Sequence, residues 1–133
     1  MPPKTNTPPC PCGAGTAGYE QCCGRFIGGM ETPPTALQLM RSRYTAYTLG
    51  QDDYLRATWH PSTRPGEEKI SERGVNWLGL EIKNHASSGD AATVEFVARY
   101  RINGRAHRLH ETSRFLREDG RWLYLDGQFQ ERK

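Results

Sequence analysis

Residues 94–127, VEFVARYRINGRAHRLHETSRFLREDGRWLYLDG, predict an antiparallel sheet onto which the rest of the chain packs. Apolar and charged residues alternate along this segment, as they do in strands that bury one face and expose the other. Asn103-Gly104 and Asp119-Gly120 have the composition of two-residue hairpin turns. We therefore expect one strand before the first turn, one over 105–117 and one over 121–127.

The residues before this segment add one more strand and, before that strand, helices. Period-two alternation from Asn76 predicts the first strand, and the turn residues at 87–90 end it. Helices followed by an antiparallel meander indicate an α+β fold in which the helices cover one face of the sheet.

Three helices are predicted before the sheet. The first spans 33–49, with Thr32 as its N-cap and Gly50 as the glycine after its end. Two shorter helices follow, over 53–59 with Asp52 as N-cap and over 67–73. Arg41, Arg43 and Thr48 are expected away from the apolar face of the first helix, which consists of Leu37, Met40, Tyr44 and Tyr47.

The hairpins also predict which side chains share a face of the sheet. A two-residue turn at Asn103-Gly104 places Glu111 and Ser113 on the face that the first helix covers. The next hairpin, with a turn of the same length, places Asp126 opposite Ser113 on that face. A slip of one residue would instead bring His110 inward and turn Glu111 outward.

All four cysteines lie close together, at Cys10, Cys12, Cys22 and Cys23. Four thiolates at this spacing can complete a tetrahedral zinc site, and iron could use the same sulfurs. A closed shell of four sulfurs would make the metal structural. Two alternatives stay open, which are a pair of disulfides and cysteines that bind nothing.

Length and charge restrict the class of protein. A chain of 133 residues fits one domain with a small appendage, and a net charge of +3 does not favour nucleic-acid binding. No apolar run reaches the ~18 residues of a membrane span, and no signal-peptide pattern precedes Cys10. We therefore expect a cytoplasmic protein, in which thiols stay reduced.

The segment around the cysteines contains a characteristic order of residues, namely Cys10, Pro11, Cys12, Gly13, Gly15, Tyr19, Cys22, Cys23 and Gly24. This order resembles the SEC-C motif, a small zinc knuckle that is also found at the tail of the SecA preprotein translocation motor. The resemblance implies that the four cysteines are the ligands, with Cys23 as the last. Ala14 replaces the usual serine, and the spacer is one residue longer than the common form.

The rest of the chain contains six further sets of residues, at Arg41–Tyr47, Ala57–Arg64, Trp77–Leu80, Val94–Phe96, His110–Phe115 and Trp122–Gly127. Together they are similar to the YchJ-like family of uncharacterised bacterial proteins. The resemblance implies a nuclear transport factor 2-like body, in which a cone of helices packs on a curved sheet behind the knuckle. We expect a mobile tail over 1–9, the knuckle and connector over 10–30 and the body over 31–133.

Two classes of function fit these features. In the first, the knuckle docks a protein partner and the body holds a small-molecule ligand or forms a homodimer. In the second, a small enzyme of hydrolase, isomerase or dehydratase type works inside the cone, as in several nuclear transport factor 2-like families. The candidate ligand-binding residues are Tyr44, Tyr47, Trp59, His60, Glu111, Ser113 and Asp126.

The candidate catalytic residues are Glu111 and Asp126 as general bases, with a tyrosine of the first helix or His60 as the acid. The structural alternative for Glu111 is a carboxylate satisfied by a backbone amide or by an arginine, Arg43 or Arg114, that braces the sheet. For the loop at 60–66, the alternative to a cavity mouth is a well-capped turn.

Overall fold

The computed structural model describes residues 10–13, 18–66, 70–71 and 74–129. The predicted tail over 1–9 and most of the predicted helix over 67–73 lie outside these residues. A single 3₁₀ turn at Tyr19–Gln21 precedes the regular elements. These are α1 (Cys23–Ile27), α2 (Ala36–Leu49), α3 (Asp52–Ala57), β1 (Val75–Ser88), β2 (Ala91–Ile102), β3 (Arg105–Glu118) and β4 (Arg121–Phe129).

The four strands form one antiparallel meander in the order β1-β2-β3-β4. The helix α2 packs against β1, β2 and β4, so the predicted α+β architecture is confirmed. Register shifts interrupt β1 between Trp77 and Gly79 and again between Ile82 and Asn84. Such bulges bend and twist a strand, which gives the sheet the curvature of a cone.

The predicted register across the first hairpin is confirmed. Asn103 and Gly104 both have positive φ, at 53° and 79°, as a two-residue turn of this kind requires. Phe96 accordingly pairs with Glu111 on β3. Glu111 therefore points to the face that α2 covers, and the alternative register with His110 inward does not occur.

The predicted register across the second hairpin is correct only near its turn. Phe115 pairs with Tyr124 as expected, but Asp126 pairs with Arg114 rather than with Ser113. A bulge at Leu125 adds one residue to β4, and a shift of one residue turns each later side chain to the opposite face. A residue distant in sequence stabilises the bulge, because the Thr63 hydroxyl donates to the Leu125 carbonyl at 2.6 Å.

The helix α2 begins three residues later than predicted. Thr35, rather than Thr32, is its N-cap, and the Thr35 hydroxyl accepts a hydrogen bond from the backbone N–H of Gln38 at 3.1 Å. A residue that precedes proline avoids helical geometry, so Pro33, which precedes Pro34, is a poor first residue for the helix. At its other end Gly50 is left-handed, with φ 70°, as predicted.

The helix α3 ends two residues earlier than predicted because the chain then pairs with β4. The Thr58 carbonyl accepts from the Tyr124 amide at 2.8 Å, and the His60 amide donates to the Tyr124 carbonyl at 2.7 Å. Asp52 is the first helical residue rather than the N-cap. Its carboxylate instead accepts hydrogen bonds from the Ser71 amide and hydroxyl.

One continuous cluster of buried side chains joins the cysteines, α2 and the inner face of the sheet. Arg43 also lies in the interior, with 4% of its surface exposed, although the helical spacing placed it away from the apolar face. Among the described residues, no helix combines the length and apolar composition that a membrane crossing needs. The cluster includes Cys10, Cys12, Cys23, Leu39, Met40, Tyr44, Val94, Phe96, Ala98 and Phe115.

Candidate functional site

The four cysteine sulfurs form a compact group. All four Sγ atoms lie within 4.8 Å of one another, and those of Cys12 and Cys22 are 3.6 Å apart. A tetrahedral site with Zn–S bonds of about 2.3 Å requires sulfurs about 3.8 Å apart. No disulfide joins these cysteines. The group could therefore bind a metal ion with four sulfur ligands.

Backbone turns bring the two pairs of cysteines together. Cys10 and Cys12 flank a turn in which the Gly13 amide donates to the Cys10 carbonyl at 3.1 Å, and Gly13 has a φ of +74°. Cys22 and Cys23 lie where the 3₁₀ turn meets α1. A Cβ at Gly24 would lie 2.8 Å from Tyr19, so only glycine allows this close approach.

The cysteines are anchored to the body rather than held away from it. Arg41 of α2 donates to the Cys12 carbonyl at 2.9 Å, and the Cys10 sulfur lies 3.7 Å from the Thr45 hydroxyl. Burial, followed by the hydrogen bond with Cys12, raises the pKa of the Cys22 thiol to about 11. A bound cation would reverse that shift, because it stabilises thiolates.

A second feature is a cavity of about 500 Å³ between α2 and the inner face of the sheet. Its walls are mainly aromatic and aliphatic, and its size is that of a metabolite-binding pocket. Four of the predicted residues line it, which are Tyr44, Tyr47, Glu111 and Ser113. The remaining lining residues are Met40, Arg43, Ile70, Val75, Trp77, Phe96, Ala98, Tyr100, Ile102, Leu109, Phe115 and Tyr124.

Among the described residues that line this cavity, Glu111 is the only carboxylate, and it is 8% exposed. Its Oε2 accepts hydrogen bonds from the Ser113 hydroxyl at 2.9 Å and from the Tyr124 hydroxyl at 3.4 Å. Burial raises the pKa of Glu111 above its usual value, although these two hydrogen bonds and Arg43 act in the opposite direction. The carboxylate is thus held among neutral donors in an apolar setting.

Neither arginine that could have braced Glu111 donates to it. Arg43 donates instead to the Leu55 carbonyl at 2.8 Å and to the Thr58 hydroxyl at 2.7 Å. Its guanidinium also lies over the Tyr124 ring, 4.5 Å from the centroid. Arg114 points outward and forms a bidentate pair with Asp126, so neither arginine makes the direct pair with Glu111 that the structural alternative required.

Gly127 is a site residue whose role the sequence did not reveal. The bulge at Leu125 places it opposite Ser113, where Asp126 was expected. A Cβ at this position would overlap the Glu111 carboxylate, so glycine leaves the space that the carboxylate fills. The φ of Gly127 does not lie in the left-handed region, so backbone conformation does not require glycine at this position. The close approach of the Glu111 carboxylate does.

The remaining candidate residues lie outside the cavity. Asp126 is on the outer face with Arg114, so the described residues do not form a two-carboxylate site inside the cone. His60 is bound to Glu118 at 2.7 Å and to the Ser62 hydroxyl at 2.8 Å, within a hydrogen-bonded turn. Trp59 packs edge-on against Tyr124, with ring centroids 4.9 Å apart, and does not line the cavity.

Comparison with known proteins agrees with this architecture. The family model described as "YchJ, middle NTF2-like domain" matches residues 35–127. A UPF0225 protein from Cupriavidus metallidurans is 56% identical, over 96% of this chain and 93% of its own length.

Two solved structures share the fold. The solution structure of a SEC-C motif containing protein from Rhodopseudomonas palustris is 30% identical, with a TM-score of 0.80, and covers 92% of this chain and 99% of its own. The crystal structure of a SEC-C motif containing protein from Psychrobacter arcticus is 24% identical, with a TM-score of 0.73, and covers 96% of this chain and 85% of its own. The chain therefore belongs to the YchJ-like family, with a nuclear transport factor 2-like domain behind its cysteine cluster.

Proposed function

We propose that the protein binds a small molecule in the cavity between α2 and the sheet, and that its four cysteines hold a structural zinc ion. The observation that carries the proposal is the cavity itself, which is about 500 Å³ in volume and has the buried carboxylate of Glu111 on its wall. Pockets with mainly apolar walls and a few convergent polar groups are the usual binding sites for small molecules.

The arrangement of polar groups supports a binding role for this cavity. Ser113 and Tyr124 meet Glu111 at one place on the wall, and the hydroxyl of each donates to the Glu111 Oε2. Burial raises the pKa of Tyr124, so its hydroxyl keeps its proton and donates to Glu111. The rest of the wall is mainly apolar, so a ligand would gain both burial of its apolar part and one fixed polar contact.

The zinc assignment rests on the donor set. Four sulfurs close the coordination shell and leave no position for a reacting water, which is the arrangement of structural sites. Iron could occupy the same sulfurs, and elemental analysis separates the two metals. A cytoplasmic location belongs to the same proposal, because thiols remain available to a metal there.

Protein docking through the knuckle also stays a prediction. The inner side of the cysteine cluster is buried against α2, so a partner would have to contact the outer side. Exposed residues there include Pro11, Glu20 and Gln21. We also keep the domain boundary at residue 30 as a proposal. It separates the knuckle from the body, although both contribute side chains to one buried cluster.

A variant that fills the cavity tests the binding proposal. Ala98 lies on the cavity wall and is 1% exposed, so Ala98→Leu would occupy space that the ligand needs. Ala106→Leu makes the same change at an exposed position on β3 and is the control. The probe is the neutral apolar dye N-phenyl-1-naphthylamine, whose binding is measured by fluorescence titration. One dye molecule per chain should bind to the wild type and to Ala106→Leu. Equal binding to Ala98→Leu would contradict the proposal.

A small enzyme is the second candidate, and the environment of Glu111 favours it. A carboxyl group whose pKa is raised by burial, beside a hydroxyl donor, is better suited to general acid–base catalysis than an exposed carboxyl group. Because Asp126 points outward, Glu111 would act as the single acid or base of a hydrolase, isomerase or dehydratase reaction. Turnover of any ligand found for the cavity distinguishes the candidates. An enzyme forms product and loses that activity in Glu111→Gln, whereas a binding protein releases its ligand unchanged.

A further inference from the structure

We propose that the ligand of this cavity is a small organic cation, namely a protonated amine on an apolar body, whose ammonium group contacts Glu111. This inference rests on the proposed binding function and names the class of ligand. Three features of the cavity wall carry it: a carboxylate with no ion-pair partner in contact among the described residues, four aromatic rings on the same wall and the engagement of the Arg43 Nη1 with other groups of the protein.

The carboxylate of Glu111 is the first feature. Its Oε2 is bound by two neutral hydroxyls, and its Oε1 has no donor among residues 10–13, 18–66, 70–71 and 74–129. Over the same residues, no arginine, lysine or histidine lies within ion-pair distance of it. Neutral donors compensate a buried charge only in part, and a charged partner compensates it more fully. A ligand ammonium would supply that partner.

The aromatic residues on the wall are the second feature. The Trp77 ring lies at the centre of a group of three tyrosines, with ring centroids 5.7 Å from Tyr44, 6.1 Å from Tyr47 and 5.3 Å from Tyr100. All four rings line the cavity with Glu111. Rings of this kind offer a large apolar surface against which the body of a ligand can pack.

The position of Arg43 is the third feature, because this residue is the other charged group among the described residues of the wall. Its Nη1 is bound to the Leu55 carbonyl and the Thr58 hydroxyl, and its guanidinium packs over the rings of Trp59 and Tyr124. The Nη1 of Arg43 is thus engaged by the protein itself, and the guanidinium acts on Glu111 through space without a direct ion pair. An anionic ligand would meet the Glu111 carboxylate, whereas a ligand whose ammonium contacts Glu111 would compensate that charge and could lay its apolar body along the aromatic part of the same wall.

A matched set of probes tests the charge of the ligand. Tryptamine, tryptophol and indole-3-propionate share an indole body and end in an ammonium, a hydroxyl and a carboxylate, and phenethylamine and 2-phenylethanol repeat the first comparison. Isothermal titration at pH 7 with the zinc-loaded full chain should show each amine binding at least ~10-fold more tightly than its alcohol. Indole-3-propionate should bind most weakly.

Two variants connect that preference to Glu111. Glu111→Gln should weaken tryptamine binding ~10-fold or more and leave tryptophol within about twofold. Glu81→Gln removes an exposed carboxylate from β1 and should change neither. The comparison of amine with alcohol needs only the wild type, so it stands even where a variant folds poorly.

The outcomes separate this inference from the proposed function. Alcohols that bind as tightly as amines, or an unchanged amine affinity in Glu111→Gln, would overturn the inference while the binding function stands. If the neutral dye bound but none of these probes did, the inference would likewise be overturned while the binding function stands. Absence of binding by the dye and by all probes would contradict the binding function, and the inference with it.

Discussion

At the scale of single residues, Glu111 contributes to the dependence of stability on pH. Burial raises its pKa above the value in the unfolded chain, so the folded state binds the proton more tightly. The contribution of Glu111 to the free energy of unfolding therefore falls as pH rises from its unfolded pKa through its raised folded pKa, and this contribution does not change further above both. The charged or titratable groups that act on Glu111 are Arg43, Tyr124 and Asp126, and Arg43 opposes the shift.

We expect Glu111→Gln to remove this pH dependence. The amide keeps the shape of the side chain and has no charge to bury, so its free energy of unfolding at about pH 7.5 should equal or exceed that of the wild type. Urea denaturation at pH values from about 4 to 8 measures both effects. Glu81→Gln, on the exposed side of β1, should leave the wild-type profile unchanged.

A large loss of stability in Glu111→Gln would contradict this prediction. If Glu111 belonged to a buried ion pair, its removal would leave an uncompensated charge and cost roughly 3–5 kcal/mol. A loss of that size in Glu111→Gln would show that the carboxylate braces the sheet after all.

At the scale of elements, the bulge in β4 determines the composition of the site. It turns Asp126 outward to Arg114 and brings Gly127 under Glu111. The residues that follow α3 hold this arrangement, since the Thr63 hydroxyl bonds to the carbonyl of the bulged residue, Leu125. A loop with the sequence of an ordinary turn thus controls which side chains reach the cavity.

We expect Gly127→Ala to displace Glu111. The new Cβ would overlap the carboxylate, and overpacking of this kind typically costs about 1–3 kcal/mol. Gly79→Ala is the control, because a Cβ at that position of β1 would meet no atom within 4 Å. Urea denaturation compares the two variants.

A double-mutant cycle identifies the cause. In a Glu111→Ala background the obstructing carboxylate is gone, so Gly127→Ala should lose most of its cost, which appears as a coupling energy between neighbouring residues. Strictly additive effects would show that the cost has another origin, such as a preference of the backbone for glycine.

At the scale of the whole molecule, the cysteine cluster and the cone form one buried core. Cys10, Cys12 and Cys23 lie in the same cluster as α2 and β2, and Arg41 ties α2 to the backbone at Cys12. Metal binding and the stability of the body should therefore be linked, although the sheet and α2 bury most of the large apolar residues without the cysteines.

We expect metal removal to lower the thermal midpoint without abolishing cooperative unfolding. Elemental analysis of protein purified without chelator should show one zinc per chain, and circular dichroism with and without chelator measures the shift. Cys22→Ser should resemble the chelated protein and should respond little to chelator. Under reducing conditions, less than about a tenth of a metal ion per chain would contradict the assignment of a closed four-sulfur site.

The features that the sequence determined by itself are local ones. The Asn103-Gly104 turn sets the pairing of Phe96 with Glu111 because turn chemistry acts over a few residues, and alternation then assigns the faces of the strands. The four cysteines are near one another in the chain, so their grouping needs little help from the fold. These features predicted the α+β class, the cysteine cluster and the inward position of Glu111.

Only the tertiary structure decided the features that depend on distant contacts. Thr63 and the pairing of residues 58–60 with β4 set the bulge that removed Asp126 from the cavity. The buried position of Arg43 depends on acceptors at Leu55 and Thr58, beyond the end of its own helix. Hydrophobic periodicity reports the preferred face of a single element, whereas a bulge or a buried charge is stabilised by partners that come together only when the chain has folded.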